Sequence, residues 1–267
     1  MNFASLPMYD LPELAALTHA WWSGLAAHMQ RQGIADVPDV CTTPEALEQH
    51  WCTPNLLFSQ TCGYPLTHQL NGKVRLLGLP VYACEGCDPD GFYSSMIIVP
   101  ASSNLHSMKD CRSARAVYNT DDSMSGLLAL RSAAASQQDH AKPFFRSLSK
   151  TGAHRQSLQS VADGEADVAC IDAVTFALLS RIDRDLISRV RVLGQSPKVP
   201  GLPYITSMKT SAETVERLRI SLRCAMDDPA LSDVRAELLL SGITFPDPAN
   251  YNVILELEAA ADGFTLA

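Results

Sequence analysis

Short apolar runs alternate with helical patterns along this chain, which limits it to folds in which strands and helices share a core. Strands are expected at 2–8, 39–41, 56–59, 74–78, 95–99, 115–118, 167–171, 190–193 and 204–206. The span 11–32 has helical spacing, with Leu14, Leu17, Trp21, Leu25 and Met29 on one face. Helical patterns lie between most of the strands and return at 212–226, 231–242 and 251–261, so the reading is an α/β architecture with mainly parallel sheets flanked by helices. A Pro/Gly-rich passage at 194–203 separates the last helices from the rest. The simplest arrangement has two lobes, 1–96 with 200–267 and 97–199, crossed twice by the chain near 93–99 and 197–205, with a ligand cleft between them.

The chemistry concentrates after the strand at 115–118. There the run Ala116-Val117-Tyr118 gives way to Asn119-Thr120-Asp121-Asp122-Ser123-Met124-Ser125-Gly126, and a helix begins with Leu127, Leu128 and Leu130. The first turn of a helix carries N–H groups with no intrahelical partner and the positive end of the macrodipole, so an anion sits well there. Ser123 and Ser125 add hydroxyl donors, and Gly126 allows close backbone approach. The plainer alternative is that Asp122 or Ser123 only caps its own helix. Further on, Gly152-Ala153-His154 opens a polar helix start, Gly164 ends that helix, and the strand Asp167-Val168-Ala169-Cys170-Ile171 delivers Asp172 at its C-terminal end, the end where ligands bind in open α/β sheets. Asp172 taken alone reads equally as the cap of the helix starting at Ala173, and His154 alone as a polar residue at a helix start.

Net charge is −8, with no basic run, which argues against nucleic acid and anionic membranes as main partners. A small anionic ligand held by backbone dipoles remains compatible with that balance. No stretch approaches the length needed to span a bilayer, and the first residues lack a secretory pattern; the compartment reads as cytoplasmic for the chain as it stands and periplasmic if a leader is missing. Eight scattered cysteines do not make a disulfide framework. Cys84-Glu85-Gly86-Cys87 has redox or zinc half-site spacing, but a turn carrying Asp88 follows and no second pair completes a zinc site. Free thiols in a loop and a disulfide from Cys62 to Cys84 or Cys87 both stay open.

Taken in order, these elements resemble the phosphate/phosphite/phosphonate-binding solute-binding proteins of ABC transporters, which have the type II periplasmic-binding-protein fold. Asp122-Ser123-Met124-Ser125-Gly126 is similar to that family's Ser-x-Ser-Gly phosphonate loop, and Gly164-Glu165-Ala166-Asp167-Val168-Ala169 to its Gly-x-x-Asp-Val-Ala strand. The segment 58–64 resembles the first-lobe strand and helix start, and 91–95 the aromatic entry to the crossover. The resemblance implies that Ser123, Ser125 and the N–H groups through Gly126 hold the anionic head, that Tyr64, Tyr93 and His154 line the cleft, and that Asp172 faces the organic part. Met124 departs from the family pattern, standing where a small hydroxyl residue is common. Tyr9, directly after the first strand, joins the candidates by position. The function so implied is a non-catalytic binding protein that closes its lobes on a phosphonate, phosphate ester or similar anion and presents it to an ABC permease, with no cofactor and no metal. The alternative is an enzyme or ligand sensor on the same scaffold, with Cys62, Cys84 or Cys87 as nucleophile and His154 as base; no nucleophile elbow, phosphate loop or zinc motif supports it.

Overall fold

The computed structural model describes residues 2–137 and 143–267, which divide into two compact units. The first comprises Met1–Ala83, Asp88–Gly91 and Pro200–Asn250; the second comprises Cys84–Cys87, Phe92–Val199 and Tyr251–Ala267.

In the first unit, five strands lie in the order Phe3–Ala4, Leu56–Gln60, Tyr204–Ser207, Val74–Tyr82 and Leu240–Thr244. Only the first pair is parallel; Tyr204–Ser207 runs antiparallel to both its neighbours and Leu240–Thr244 antiparallel to Val74–Tyr82. Every residue of Leu56–Gln60 is buried, as expected of a strand covered on both faces. The long helix Ala15–Arg31 follows a short 3-10 turn at Pro12–Leu14 and packs beside Ala212–Asp227. It buries Trp21, Trp22, Leu25, Ala26 and Met29, a single stripe at helical spacing. Trp22 meets Phe58 at 5.8 Å between ring centroids, and Phe58 meets Tyr204 at 4.8 Å, which ties helix to sheet.

That helix is stopped by its sequence. Gly33 takes φ +73°, its N–H donates to the Gln30 carbonyl, and the N–H of buried Ile34 reaches back to the Met29 carbonyl at 3.1 Å. This pairing satisfies two orphan carbonyls and requires a left-handed residue that glycine adopts without a Cβ penalty. Gly33→Ala is expected to lower stability by about 1 kcal/mol, read as a shift of the urea midpoint with an unchanged slope.

The second unit has five strands in the order Ser147–Lys150, Arg115–Tyr118, Val168–Asp172, Ser95–Pro100 and Val190–Gln195. The first three run parallel to one another, and the last two reverse direction at each step. Its core joins Ile97, Val99, Leu130, Phe144, Phe145, Cys170, Phe264 and Leu266.

The α/β class and most of the strands stand as read from the sequence, with four differences. Both five-stranded sheets are mixed rather than mainly parallel, because hydrophobic periodicity marks a buried strand without recording its direction. The expected helix at 231–242 is the helix Ser232–Glu237 followed by the strand Leu240–Thr244, broken where Leu239 takes φ +62°. The expected strand at 39–41 forms no ladder. Finally, 251–267, expected with the first lobe, belongs to the second unit, because Phe264 packs its ring against Phe144 at 6.0 Å.

Candidate functional site

The three parallel strands of the second unit end at one edge of the sheet, and the loops after them carry the candidate polar residues. After Arg115–Tyr118 the chain turns through Asn119 to Asp122, with Ser123 as the extended residue before the helix. The first stretch, Met124–Leu128, is a π turn in which the Leu128 N–H donates to the Ser123 carbonyl at 3.1 Å, and the α-helix Ala129–Ala135 continues it. Such single π turns recur at functional sites because they re-aim the first N–H groups.

Ser123 does cap this helix: its Oγ accepts the Gly126 N–H at 2.9 Å. The cap leaves the N–H groups of Met124 and Ser125, which precede any intrahelical acceptor, at the start of the turn. The cap therefore uses the Gly126 N–H and not those of Met124 and Ser125. Gly126 is fixed by space rather than by dihedral angle, since a Cβ there would fall 1.8 Å from Asn119 Oδ1 and 3.1 Å from Ser123 Oγ.

His154 begins the helix His154–Ala162, entered through Gly152 at φ +98°, whose N–H donates to the Asn119 carbonyl at 2.9 Å. Its Nε2 lies 2.8 Å from Ser125 Oγ and 3.3 Å from Asn119 Nδ2. Burial pushes the imidazole down to about 4, opposed in part by the Cys170 carbonyl, which Nδ1 faces without reaching a hydrogen bond of ordinary geometry. The ring is therefore neutral at pH 7. An Asn amide nitrogen can only donate, so Nε2 is the acceptor and the proton sits on Nδ1. Ser125 and Asn119 compete for a single Nε2 lone pair.

Asp121, in the same turn, has partners of its own. Lys150 Nζ donates to Asp121 Oδ2 at 2.7 Å and Tyr118 Oη to Oδ1 at 2.8 Å, and these bonds hold the Asp121 carboxyl below its ordinary value. Asp172, buried at the end of its strand, accepts the Thr175 N–H on Oδ1 at 2.9 Å and so caps the helix Ala173–Ile182. The capping reading of Asp172 is thus realised, and one carboxylate oxygen is committed to it.

The turn brings together two hydrogen-bonded pairs, Ser123 with Gly126 and Ser125 with His154, and Met124 is buried in the same turn. Tyr93 is buried in the short strand Phe92–Tyr93, which bridges to Cys87. Tyr9 and Tyr64 belong to the first unit, where Tyr9 meets Tyr82 edge-on at 5.2 Å and Tyr64 stacks on His68 at 3.9 Å. Asn119 was missed as a site residue, although its position directly after the strand, ahead of the serine turn, marks it. Among the described residues no group of three or more His, Cys, Asp or Glu could hold a metal ion, and no helix is long and apolar enough to cross a membrane.

A mixed α/β chain of two units, with a serine–glycine helix start at a sheet edge, has the architecture and chemistry of a solute receptor. The family described as "ABC transporter, phosphonate, periplasmic substrate-binding protein" matches residues 55–251, and the chain belongs to it. No curated protein matches the chain. Among solved structures, PhnD1 from Prochlorococcus marinus in complex with methylphosphonate superposes with a TM-score of 0.78 at 11% identity, covering 98% of each chain. The binding protein component of an ABC phosphonate transporter (PA3383) from Pseudomonas aeruginosa gives 0.76 at 17% identity, over 98% of this chain and 86% of that one. XAC2383 from Xanthomonas citri bound to ATP gives 0.70 at 14% identity, over 97% and 96%. At these identities the likeness establishes the fold, which is that of the type II periplasmic binding proteins.

Proposed function

We propose that this member of the family binds a small phosphonate or phosphate-type anion through the Ser123–Gly126 turn and delivers it, unaltered, to an ABC permease in the periplasm. The observation that supports this reading most is the turn itself: the first-turn N–H groups of Met124 and Ser125 and the Ser125 hydroxyl belong to one helix start, where Gly126 has no Cβ and His154 Nε2 lies 2.8 Å from Ser125 Oγ. Met124 is buried in the turn, and Tyr93 and Asp172, which belong to the same unit, are proposed to contact the remainder of the ligand. The bound oxyanion takes backbone N–H bonds and one hydroxyl bond, a donor set suited to three equivalent oxygens.

Isothermal calorimetry with methylphosphonate, inorganic phosphate, methanesulfonate and ATP tests the proposal, ATP being included because the Xanthomonas protein holds it. One of the phosphorus oxyanions should bind with a dissociation constant in the micromolar range or tighter. Ser125→Ala should weaken that affinity by roughly fivefold to thirtyfold, the loss of one hydroxyl donor worth about 1 to 2 kcal/mol. Phosphorus NMR of the saturated protein should return the ligand unchanged. Absence of binding to every anion, or unchanged affinity in Ser125→Ala, would place the site elsewhere; conversion of the ligand would make the protein an enzyme.

A further inference from the structure

The proposed transport function assigns no role to the thiols of Cys84 and Cys87, yet the fold sets them face to face. Cys84-Glu85-Gly86-Cys87 is a β-turn closed by the Cys87 N–H donating to the Cys84 carbonyl at 3.1 Å, with Gly86 at φ +86°, the left-handed position a type II turn demands. The turn is seated firmly. The Ser94 N–H donates to the Gly86 carbonyl at 2.8 Å, Cys87 bridges to Tyr93, and Gln195 Nε2 donates to Glu85 Oε1 at 3.2 Å. A Cβ on Gly86 would fall 2.9 Å from Met96 Cε and 3.0 Å from Ala173 Cβ, so the turn packs directly on the second unit's sheet and on the first residue of the helix Ala173–Ile182. Within this frame the two Sγ atoms are 3.4 Å apart and both residues are partly exposed.

We infer that Cys84 and Cys87 are a thiol–disulfide exchange site, in which a small disulfide oxidant converts the pair to a disulfide closing the 84–87 turn. The end residues of a β-turn have Cα atoms within about 7 Å, the upper limit for a disulfide, so only a side-chain rotation is needed to bring the sulfurs from contact to bonding distance. Cys84 is the attacking residue. Its thiol is pulled below the ordinary value chiefly by the hydrogen bond from Cys87, with Arg181 assisting, against burial and the charges of Asp172 and Glu85.

The exchange balances with a disulfide RSSR as oxidant. Cys84 loses its proton and its thiolate attacks one sulfur of RSSR; the oxidant's S–S bond breaks, a Cys84–S–SR bond forms, and the departing thiolate takes up the proton. Cys87 then loses its proton and attacks the Cys84 sulfur, expelling the second thiolate, which is protonated in turn. The pair gives up two electrons, RSSR gains them, and two RSH leave. The short loop makes the second step intramolecular and fast relative to any crosslink from elsewhere in the chain.

The test is to equilibrate the full chain with reduced and oxidised glutathione at graded ratios, trap free thiols with an alkylating agent, and map peptides by mass spectrometry. The expected product has lost the mass of two hydrogens, with Cys84 and Cys87 protected in one linked peptide and Cys111 and Cys170 unchanged. C87S should stop at a glutathione adduct on Cys84, because the resolving thiol is gone, and C84S should form no intramolecular link. A link from Cys62 to either cysteine would overturn the inference, as would a pair that stays reduced at ratios that oxidise a Cys-x-x-Cys control peptide. Because oxidation is read by mass, the result stands whatever anion the protein binds.

Discussion

Gly126→Ala should weaken anion binding about a hundredfold, some 2.7 kcal/mol, while leaving most of the fold intact. The added Cβ would fall 1.8 Å from Asn119 Oδ1 and 2.8 Å from Asn119 Cγ, distances at which one of the two must move. The helix cannot retreat easily, because Met124, Ser125, Leu128, Ala129 and Leu130 are all buried. Asn119 is therefore displaced, and its amide loses His154 Nε2. Ser123 is disturbed as well, since its Oγ lies 3.1 Å from the new carbon and accepts the Gly126 N–H. One methyl group would thus disturb the Ser123 cap and the contact between Asn119 and His154 together. The check is calorimetry on Gly126→Ala, Asn119→Ala and the double variant. Removing the Asn119 side chain opens the space the Cβ needs, so the double variant should bind better than the sum of the single losses. Strict additivity would show that the collision with Asn119 is not the cause.

The parts of this site that could be read from the sequence are those encoded locally. The apolar run at Arg115–Tyr118 ends at Asn119-Thr120-Asp121, and a serine–glycine turn before a leucine pattern places both the strand end and the helix start. Cap residues are local too, which is why either reading of Asp172 was available and only coordinates show its Oδ1 on the Thr175 N–H. The bond between Asn119 and His154 crosses 35 residues and depends on Arg115–Tyr118 and Ser147–Lys150 pairing in parallel, which no local pattern records. Strand direction was hidden for the same reason. Ser95–Pro100 is almost wholly buried, and a continuous apolar run looks the same whether its neighbours run with it or against it. The strand Leu240–Thr244 reads as helix in the sequence because Leu238, Leu239 and Leu240 suit a helix, and the left-handed turn at Leu239 has no glycine or asparagine to announce it.

Stability should fall by about 3 kcal/mol as the pH drops from about 6.5 to about 4, and most of that loss should disappear in His154→Gln. The sign follows from where protons bind. Burial lowers the folded-state imidazole of His154 from an ordinary 6.5 to about 4, so between those values the unfolded chain holds a proton that the folded chain refuses. Folding is then opposed by an amount that grows as the pH falls through that window and is complete below the folded value. Above pH 6.5 the group is neutral in both states and contributes no pH dependence. His50, also lowered by burial, acts in the same direction, which leaves a residual slope in the variant. The carboxyl of Asp167, held below its ordinary value by the Arg115 guanidinium 2.6 Å away, acts below the window, since its stabilisation is lost only as the pH falls under the ordinary carboxylate value. Urea unfolding of both proteins at half-unit steps from pH 4 to 8 separates these contributions. Glutamine keeps a polar side chain of similar reach beside Ser125 and Asn119, so the variant should fold and its stability should be nearly flat where the parent's declines. A parent-like slope in His154→Gln would mean that the imidazole is not the buried neutral group on which the geometry of the serine turn depends.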